Sequence, residues 1–367
     1  MNEKVNNIFS KRSKSAKITI WHEAVLVKLA VMLFLITACG DSISEKDDFR
    51  EISITKKEQE HRVDIKIDNE LFTTYQYIDT LSALIKPALF PLITPGGRYI
   101  TRERGYPQNS QSGKRVMSSH QTGFWLGYGN VNGIDFWNHP DSFEQGREHQ
   151  YGIIRHRDII RAESNGRSAI LETTSDWIDQ TGNKILEEET SWRFAARNKL
   201  RIIERITTLK ATVGKVDMID DKNGLIAIRV ARELDQPLKK TVDEPEINNK
   251  EMTGVYWNSE SFIGEEVWDK KARWLAISGI IQHEPVTLVL FDHPDNYGFP
   301  AWWHTLKYGL VAANPLSHKS FETASEPAVL TIEENESVTF RYRLNIYSGF
   351  PTNSELEKEF NSFIALP

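Results

Sequence analysis

Between residues 153 and 209 the chain reads as four strands in a row, and this run constrains the fold more than anything else in it. Ile153 to Ser164, Ser168 to Ile178 and Lys184 to Ala196 are joined by Asn165-Gly166 and by Thr181-Gly182-Asn183. These are residue types that accept the positive φ of tight hairpins. Lys199 to Leu209 continues the meander after Arg197-Asn198, and in the third strand Leu186, Glu188, Thr190, Trp192 and Phe194 share one face. Turns this short join antiparallel neighbours. No amphipathic helix stands between the strands, so a parallel α/β architecture is disfavoured.

The rest of the chain repeats the pattern. Val63, Ile65 and Ile67 alternate with polar residues, and Asn69-Glu70 then turns into Leu71 to Tyr77. Lys86 to Arg98 holds three prolines and paired glycines, which allow only short extended pieces. Residues 99 to 118 are a polar loop, and His120 to Trp137 suggests two short strands with close backbone approach at Gly127 and Gly129. Leu225 to Glu233, Ala272 to Ile281, Val286 to Phe291 and Val338 to Tyr347 read as further strands, with residues 234 to 253 a solvated loop. Only the end is helical: Thr352 to Glu355 fits a capping box, and Leu356, Phe360, Phe363 and Ile364 recur at helical spacing. The expectation is an all-β fold, a large antiparallel β-sandwich with a short C-terminal helix, in one domain over residues 60–367.

The amino-terminal region has another use. Basic residues (Lys11, Arg12, Lys14, Lys17, Lys28) precede the apolar run Leu29 to Ala38, which ends at Cys39, the single cysteine. Small residues just before that cysteine match a bacterial lipobox, and the apolar run is about half the ~20 residues a membrane span needs. Residues 1–38 therefore read as a lipoprotein signal peptide, with Cys39 carrying the lipid and residues 39–59 a polar tether. The mature chain would be membrane-anchored on the periplasmic or cell-surface side. With that cysteine lipidated, thiolate chemistry and Cys-bound metals drop out. A net charge of -6 argues against a nucleic-acid groove.

Chemistry concentrates in residues 291–315. Two histidines (His293, His304), two acids (Asp292, Asp295), the pair Trp302-Trp303, Tyr297, Tyr308, Asn296 and Asn314 share one segment. So polar a mix does not suit a core strand. His304 can give a proton to a hydroxyl oxygen while a tryptophan face stacks a ring, and capping a backbone carbonyl fits it equally. His293 follows Asp292, but adjacent strand residues point apart, so a strand-terminating turn competes with an oriented imidazole. Glu260 is a candidate general base or a surface-loop glutamate. Arg229, Arg232 and Glu233 can fix carboxylates or hydroxyls or form ion pairs, and Asn132 and Asp135 can bind hydroxyls or shape a turn. His139, His149 and His156 add imidazoles to His120, but their spacing matches no familiar metal site, and no metal or cofactor is assigned. There is no His-Glu-x-x-His, phosphate-binding glycine loop or Gly-x-Ser-x-Gly elbow.

Asn130 to Trp137, Gly224 to Leu234, Asn258-Ser259-Glu260, Ala272-Arg273-Trp274, Phe291 to Pro294 and the run from Trp303-His304 to Pro315 resemble the bacterial methane oxygenase PmoA-like family, over roughly residues 60 to 350. That resemblance implies a galactose mutarotase-like β-sandwich, a fold whose members act on or bind carbohydrate. Weighed by their own chemistry, His120, Glu260, His293 and His304 are the catalytic candidates. Asn132, Asp135, Trp137, Arg229, Arg232, Trp303, Tyr308 and Asn314 would bind the sugar. Relatives carry Asp-His-Pro-His-His-x-Gly where this chain has Met117 to Gly123, and only His120 and Gly123 are kept. The expected activity is proton transfer by a His and carboxylate pair at a sugar ring or glycosidic bond, of epimerase, lyase or hydrolase type. A non-catalytic sugar-binding lipoprotein and a structural envelope protein are the rivals. A metal-dependent oxygenase, as the family name suggests, is disfavoured because no membrane-spanning helices follow the signal.

Overall fold

The computed structural model describes residues 48–77, 84–102, 121–138, 150–237, 251–322 and 325–365. Cys39, His120, His139 and His149 lie outside them. The first sheet opens with β1 (Ile52–Lys57), β2 (Arg62–Ile67), β3 (Glu70–Gln76), β4 (Ala88–Leu92) and β5 (Phe124–Leu126). The chain then builds the long meander of the second sheet, β6 (Gly152–Ser164), β7 (Ser168–Asp179), β8 (Lys184–Arg197) and β9 (Leu200–Lys210). After β10 (Val216–Ile219) it returns to the first sheet as β11 (Ile226–Arg229), and to the second as β12 (Val255–Asn258), β13 (Trp274–Ile281) and β14 (Glu284–Asp292). The hairpin β15 (Trp302–Leu306) and β16 (Leu310–Asn314) completes the first sheet. A one-turn helix α1 (His318–Phe321), β17 (Val329–Ile332), β18 (Ser337–Ser348) and α2 (Asn353–Ile364) follow.

The first sheet has the order β1-β2-β3-β4-β5-β11-β16-β15 and the second β12-β13-β14-β18-β9-β8-β7-β6, while β10 and β17 pair alone. All these pairings are antiparallel, as the short turns require. The inner faces of both sheets share one core: Val63, Ile65, Phe124, Ile226 and Val311 from the first, and Leu171, Trp192, Ile203, Leu288 and Leu344 from the second. The expected inward face of β8 holds, polar members included. Glu188 is buried there against Arg205 at 2.7 Å and accepts from Trp177 Nε1 at 2.9 Å, so the charge enters the core paired.

Three expectations need correction. β1 falls inside the segment assigned to the tether, yet it pairs along its length with β2, so residues 52 to 57 are a sheet edge. The first hairpin turns at Asp68-Asn69, both at positive φ, rather than at Asn69-Glu70. Residues 302–306 and 310–314, judged too polar for core strands, form a buried hairpin. Alternation explains the last. Trp303 and Val311 face the shared core, while His304 and Asn314 face outward onto partners that satisfy them.

A candidate functional site on the outer face of the first sheet

Register builds one row across the outer face of the first sheet. Ala88 pairs with Trp125, Trp125 with Ala227, Ala227 with Ala312, and Ala312 with His304. Directly opposed residues share a face, so two alanines, Ala227 and Ala312, form a low floor between Trp125 and His304, with Ala88 beyond Trp125. Trp137 packs on that floor with its ring 5.5 Å from Trp125. Gly224 is needed beside it: at φ +133 its added Cβ would stand 2.7 Å from the Ala312 Cβ and 3.6 Å from the Trp137 ring.

His304 closes the row on β15. Its Nδ1 meets the Lys222 carbonyl, which can only accept, so the proton sits on Nδ1 and Nε2 is left as an acceptor. Burial pushes its pKa down to about 4, so the ring is neutral near pH 7. Trp268 lies 4.7 Å and Phe321 6.3 Å from the imidazole. The backbone-capping role foreseen for this histidine is the one it adopts, and in that state it takes a proton more readily than it gives one. One register step along, Trp302 opposes Asn314, whose Nδ2 donates to the Asp221 carbonyl at 2.5 Å.

Behind Trp125 and Trp137 stands Lys86, a residue that pattern reasoning passed over. It is 3% exposed, its Nζ donates to the Trp137 carbonyl at 2.6 Å, and burial pushes its pKa down to about 7, with Asp135 opposing. Asp135 accepts from the Trp137 and Asn138 backbone at 2.7 and 3.0 Å, so its carboxylate orders the turn that carries Trp137. Asp221, also passed over, packs its carboxylate where a Gly129 Cβ would be and has its pKa raised, first by burial. The signal for Lys86 was one cation inside the apolar run Leu84 to Leu89. Asp221 sits in Asp220 to Gly224, which reads as an ordinary polar turn.

At the other end of the same face, Arg229 follows Ala227 on β11 and is 2% exposed. Its guanidinium carbon lies 4.4 Å from the Tyr308 ring, and Nη1 donates to Gln121. Two strand spacings of about 4.8 Å and a two-residue step of about 6.6 Å put the backbones of Arg229 and His304 about 12 Å apart.

The other sequence candidates lie elsewhere. Trp303 faces the core, with Nε1 donating to the Ala272 carbonyl at 2.9 Å. Asn132 ties its turn to β10 by accepting from Asp217 N at 2.8 Å, and Arg232 is exposed on a short 3-10 turn. Glu260 is exposed beside Ser259 and 3.9 Å from Arg273, which itself pairs with Glu357 on α2. His293 packs edge-on against Phe363 of α2 at 5.0 Å, and the Asp292 side chain binds its backbone nitrogen rather than its ring. His304, Asp135, Trp137, Arg229, Tyr308 and Asn314 thus share one side of the first sheet, while Glu260 and His293 neighbour the C-terminal helix. Among the described residues no group of three or more His, Cys, Asp or Glu is placed to hold a metal ion. No helix among them is long and apolar enough to cross a membrane.

A family model matches residues 62–361, most of the chain and all of the first-sheet face described above from Lys86 onward. The chain belongs to DUF6807, a family of unknown function. The match names that family and not the PmoA-like one. No curated protein matches this DUF6807 chain. Among solved structures it is similar to a GH36 alpha-galactosidase, AgaB, from Geobacillus stearothermophilus, at 11% identity and a TM-score of 0.42, covering 81% of this chain and 41% of that one. An alpha-galactosidase from Lactobacillus brevis gives 6% identity and a TM-score of 0.34, with 82% and 39% covered. A polysaccharide lyase gives 10% and 0.32, with 85% and 34% covered. The DUF6807 chain therefore spans about two fifths or less of these proteins.

Proposed function

We propose that this DUF6807 chain handles carbohydrate on the outer face of its first sheet, as an exported lipoprotein held to the membrane through Cys39. The observation that carries the reading is His304. A neutral imidazole with a fixed tautomer presents an acceptor nitrogen among Trp268, Phe321 and Trp302, the pairing of hydrogen-bond acceptor and flat apolar faces that a sugar ring needs. A lone-pair nitrogen takes a hydroxyl proton, either to hold the ligand or to abstract the proton in a reaction.

A non-catalytic binding role has its own support. Glu260 and His293 neighbour α2, so the foreseen His and carboxylate pair does not form around His304 from those residues. The test is a thermal-shift panel of mono- and disaccharides on the full chain, with His304→Ala beside the wild type. A ligand at 100 times its Kd stabilises by about 2.7 kcal/mol, a rise of several degrees. The proposal expects one class of saccharide to raise the wild-type midpoint and His304→Ala to lose most of that rise. Turnover lost with affinity kept assigns catalysis, and affinity lost with no turnover in the wild type assigns binding. A panel in which no saccharide moves the wild-type midpoint overturns the proposal.

A further inference from the structure

The guanidinium of Arg229 is out of water and only partly satisfied. Nη1 is taken by Gln121, while Nε and Nη2 have no hydrogen-bond partner among the described residues and are inaccessible to solvent. Those two nitrogens form one edge of the planar group, the edge whose parallel N–H bonds match the two oxygens of a carboxylate. Tyr308 covers the flat face at 4.4 Å and is itself 41% exposed, so the ring that shields the guanidinium stands at the solvent rim of the cluster.

The neighbouring charges do not supply the missing acceptor. The nearest carboxylate, Asp235, is engaged by Arg102 at 2.5 Å, and Arg102 also donates to the Val230 carbonyl at 3.2 Å. The buried group of Arg102, Arg229 and Asp235 is thus left with one excess positive charge. The buried Tyr256 hydroxyl lies within electrostatic reach of all three. Burial pulls the Arg229 pKa down to about 10, with Arg102 adding to the shift, yet the group stays charged at neutral pH. An arginine kept charged, dry and half-bonded is a costly arrangement. A monoanion that accepts from Nε and Nη2 removes both the open donors and the excess charge.

We propose that the Nε–Nη2 edge of Arg229 is a carboxylate subsite, so that the ligand of this sheet face is an acidic saccharide, a uronic acid or a chain containing one. This rests on the carbohydrate reading above and narrows it. The carboxylate lies against Arg229, and the sugar ring extends from it past Tyr308 at the solvent rim. The fork takes a carboxylate or a phosphate bidentately, but a carboxylate monoanion balances the single excess charge, whereas a phosphate monoester would bury a second negative charge.

The experiment compares glucuronate, galacturonate, glucose, galactose and glucose 6-phosphate on the full chain, by calorimetry and thermal shift. Wild type, Arg229→Lys and Tyr308→Ala are used, after circular dichroism has shown each to be folded. Wild type is expected to bind one uronate at least tenfold more tightly than its neutral hexose and the phosphate ester. Arg229→Lys, which keeps the charge and loses the fork, is expected to bring that preference to within about twofold. Tyr308→Ala weakens uronate binding from the half-exposed rim and serves should the lysine variant not fold. Equal binding of uronate and neutral hexose by wild type overturns the proposal, as does a preference that survives Arg229→Lys. Tighter binding of the phosphate ester overturns the carboxylate assignment. Acetate and tartrate form a separate arm. Stabilisation by these alone, lost in Arg229→Lys, keeps an anion subsite and rejects the carbohydrate reading. Neutral sugars binding without any uronate preference does the reverse.

Discussion

His304 shows how a single residue can be flagged by sequence while its role is not. The chain places an imidazole after two tryptophans, and both proton donation and carbonyl capping fit that context. Only the partner decides, and it comes from 82 residues away, at Lys222. The same burial gives a pH dependence with a definite sign. The unfolded chain binds a proton at His304 near pH 6.5, whereas the folded chain waits until about 4. Between those values the unfolded state holds more protons, so stability falls as pH drops through the window, by roughly 3 kcal/mol for the whole interval. His156, also pushed down to about 4 by burial, adds slope in the same range. His304→Asn keeps a donor for the Lys222 carbonyl and cannot titrate. The loss of stability between pH 7 and pH 4.5, read from urea midpoints, should therefore be smaller in the variant than in wild type, and an unchanged difference would show that His304 is not a source of the slope. Lys86 and Arg229 carry the same lesson from the other side. A buried cation is invisible in a list of residue types until the fold removes water from it.

The elements were legible wherever period and turn chemistry agreed. β6 to β9 and β18 follow their alternation, and α2 starts at the foreseen capping box, with Thr352 accepting from Glu355 N and Glu355 reaching back to Thr352 N. The hairpin β15–β16 was misjudged because its polar residues were counted without regard to face. Asn314 and His304 point away from the core towards the carbonyls of Asp221 and Lys222. α2 lays Leu356, Phe360 and Phe363 on Trp274, Ala276, Val289 and Phe291 of the second sheet. Its two sources of stability should separate by size. Thr352→Ala removes the cap and should cost about 1 kcal/mol, whereas Phe360→Ala leaves a cavity under the helix and should cost about 3 kcal/mol or more. Chemical denaturation of the two variants measures both. If the cap variant proved the more damaging, packing would not be what holds the helix.

At the scale of the whole molecule, the proposed anchor and the proposed site make separate demands. Cys39→Ser should abolish acylation and release the chain from membranes, read by mass spectrometry of the amino terminus and by fractionation. Sugar-dependent stabilisation should be unaffected, since the site lies on the sheet. Acylated membrane protein in the serine variant would refute the lipobox reading. The sequence by itself determined the all-β class, the antiparallel hairpins and the terminal helix, because alternation, turn residues and caps act over a few neighbouring positions. It also marked His304, Arg229, Trp137 and Asn314 as residues of interest. Only the tertiary structure decided which sheet face each one joins. It was the register of β4, β5, β11, β16 and β15 that gathered them on one side, left Glu260 and His293 beside α2, and stripped water from Arg229 and Lys86. Strand pairing across more than 200 residues sets those relations, and no local pattern encodes which distant strand becomes a neighbour.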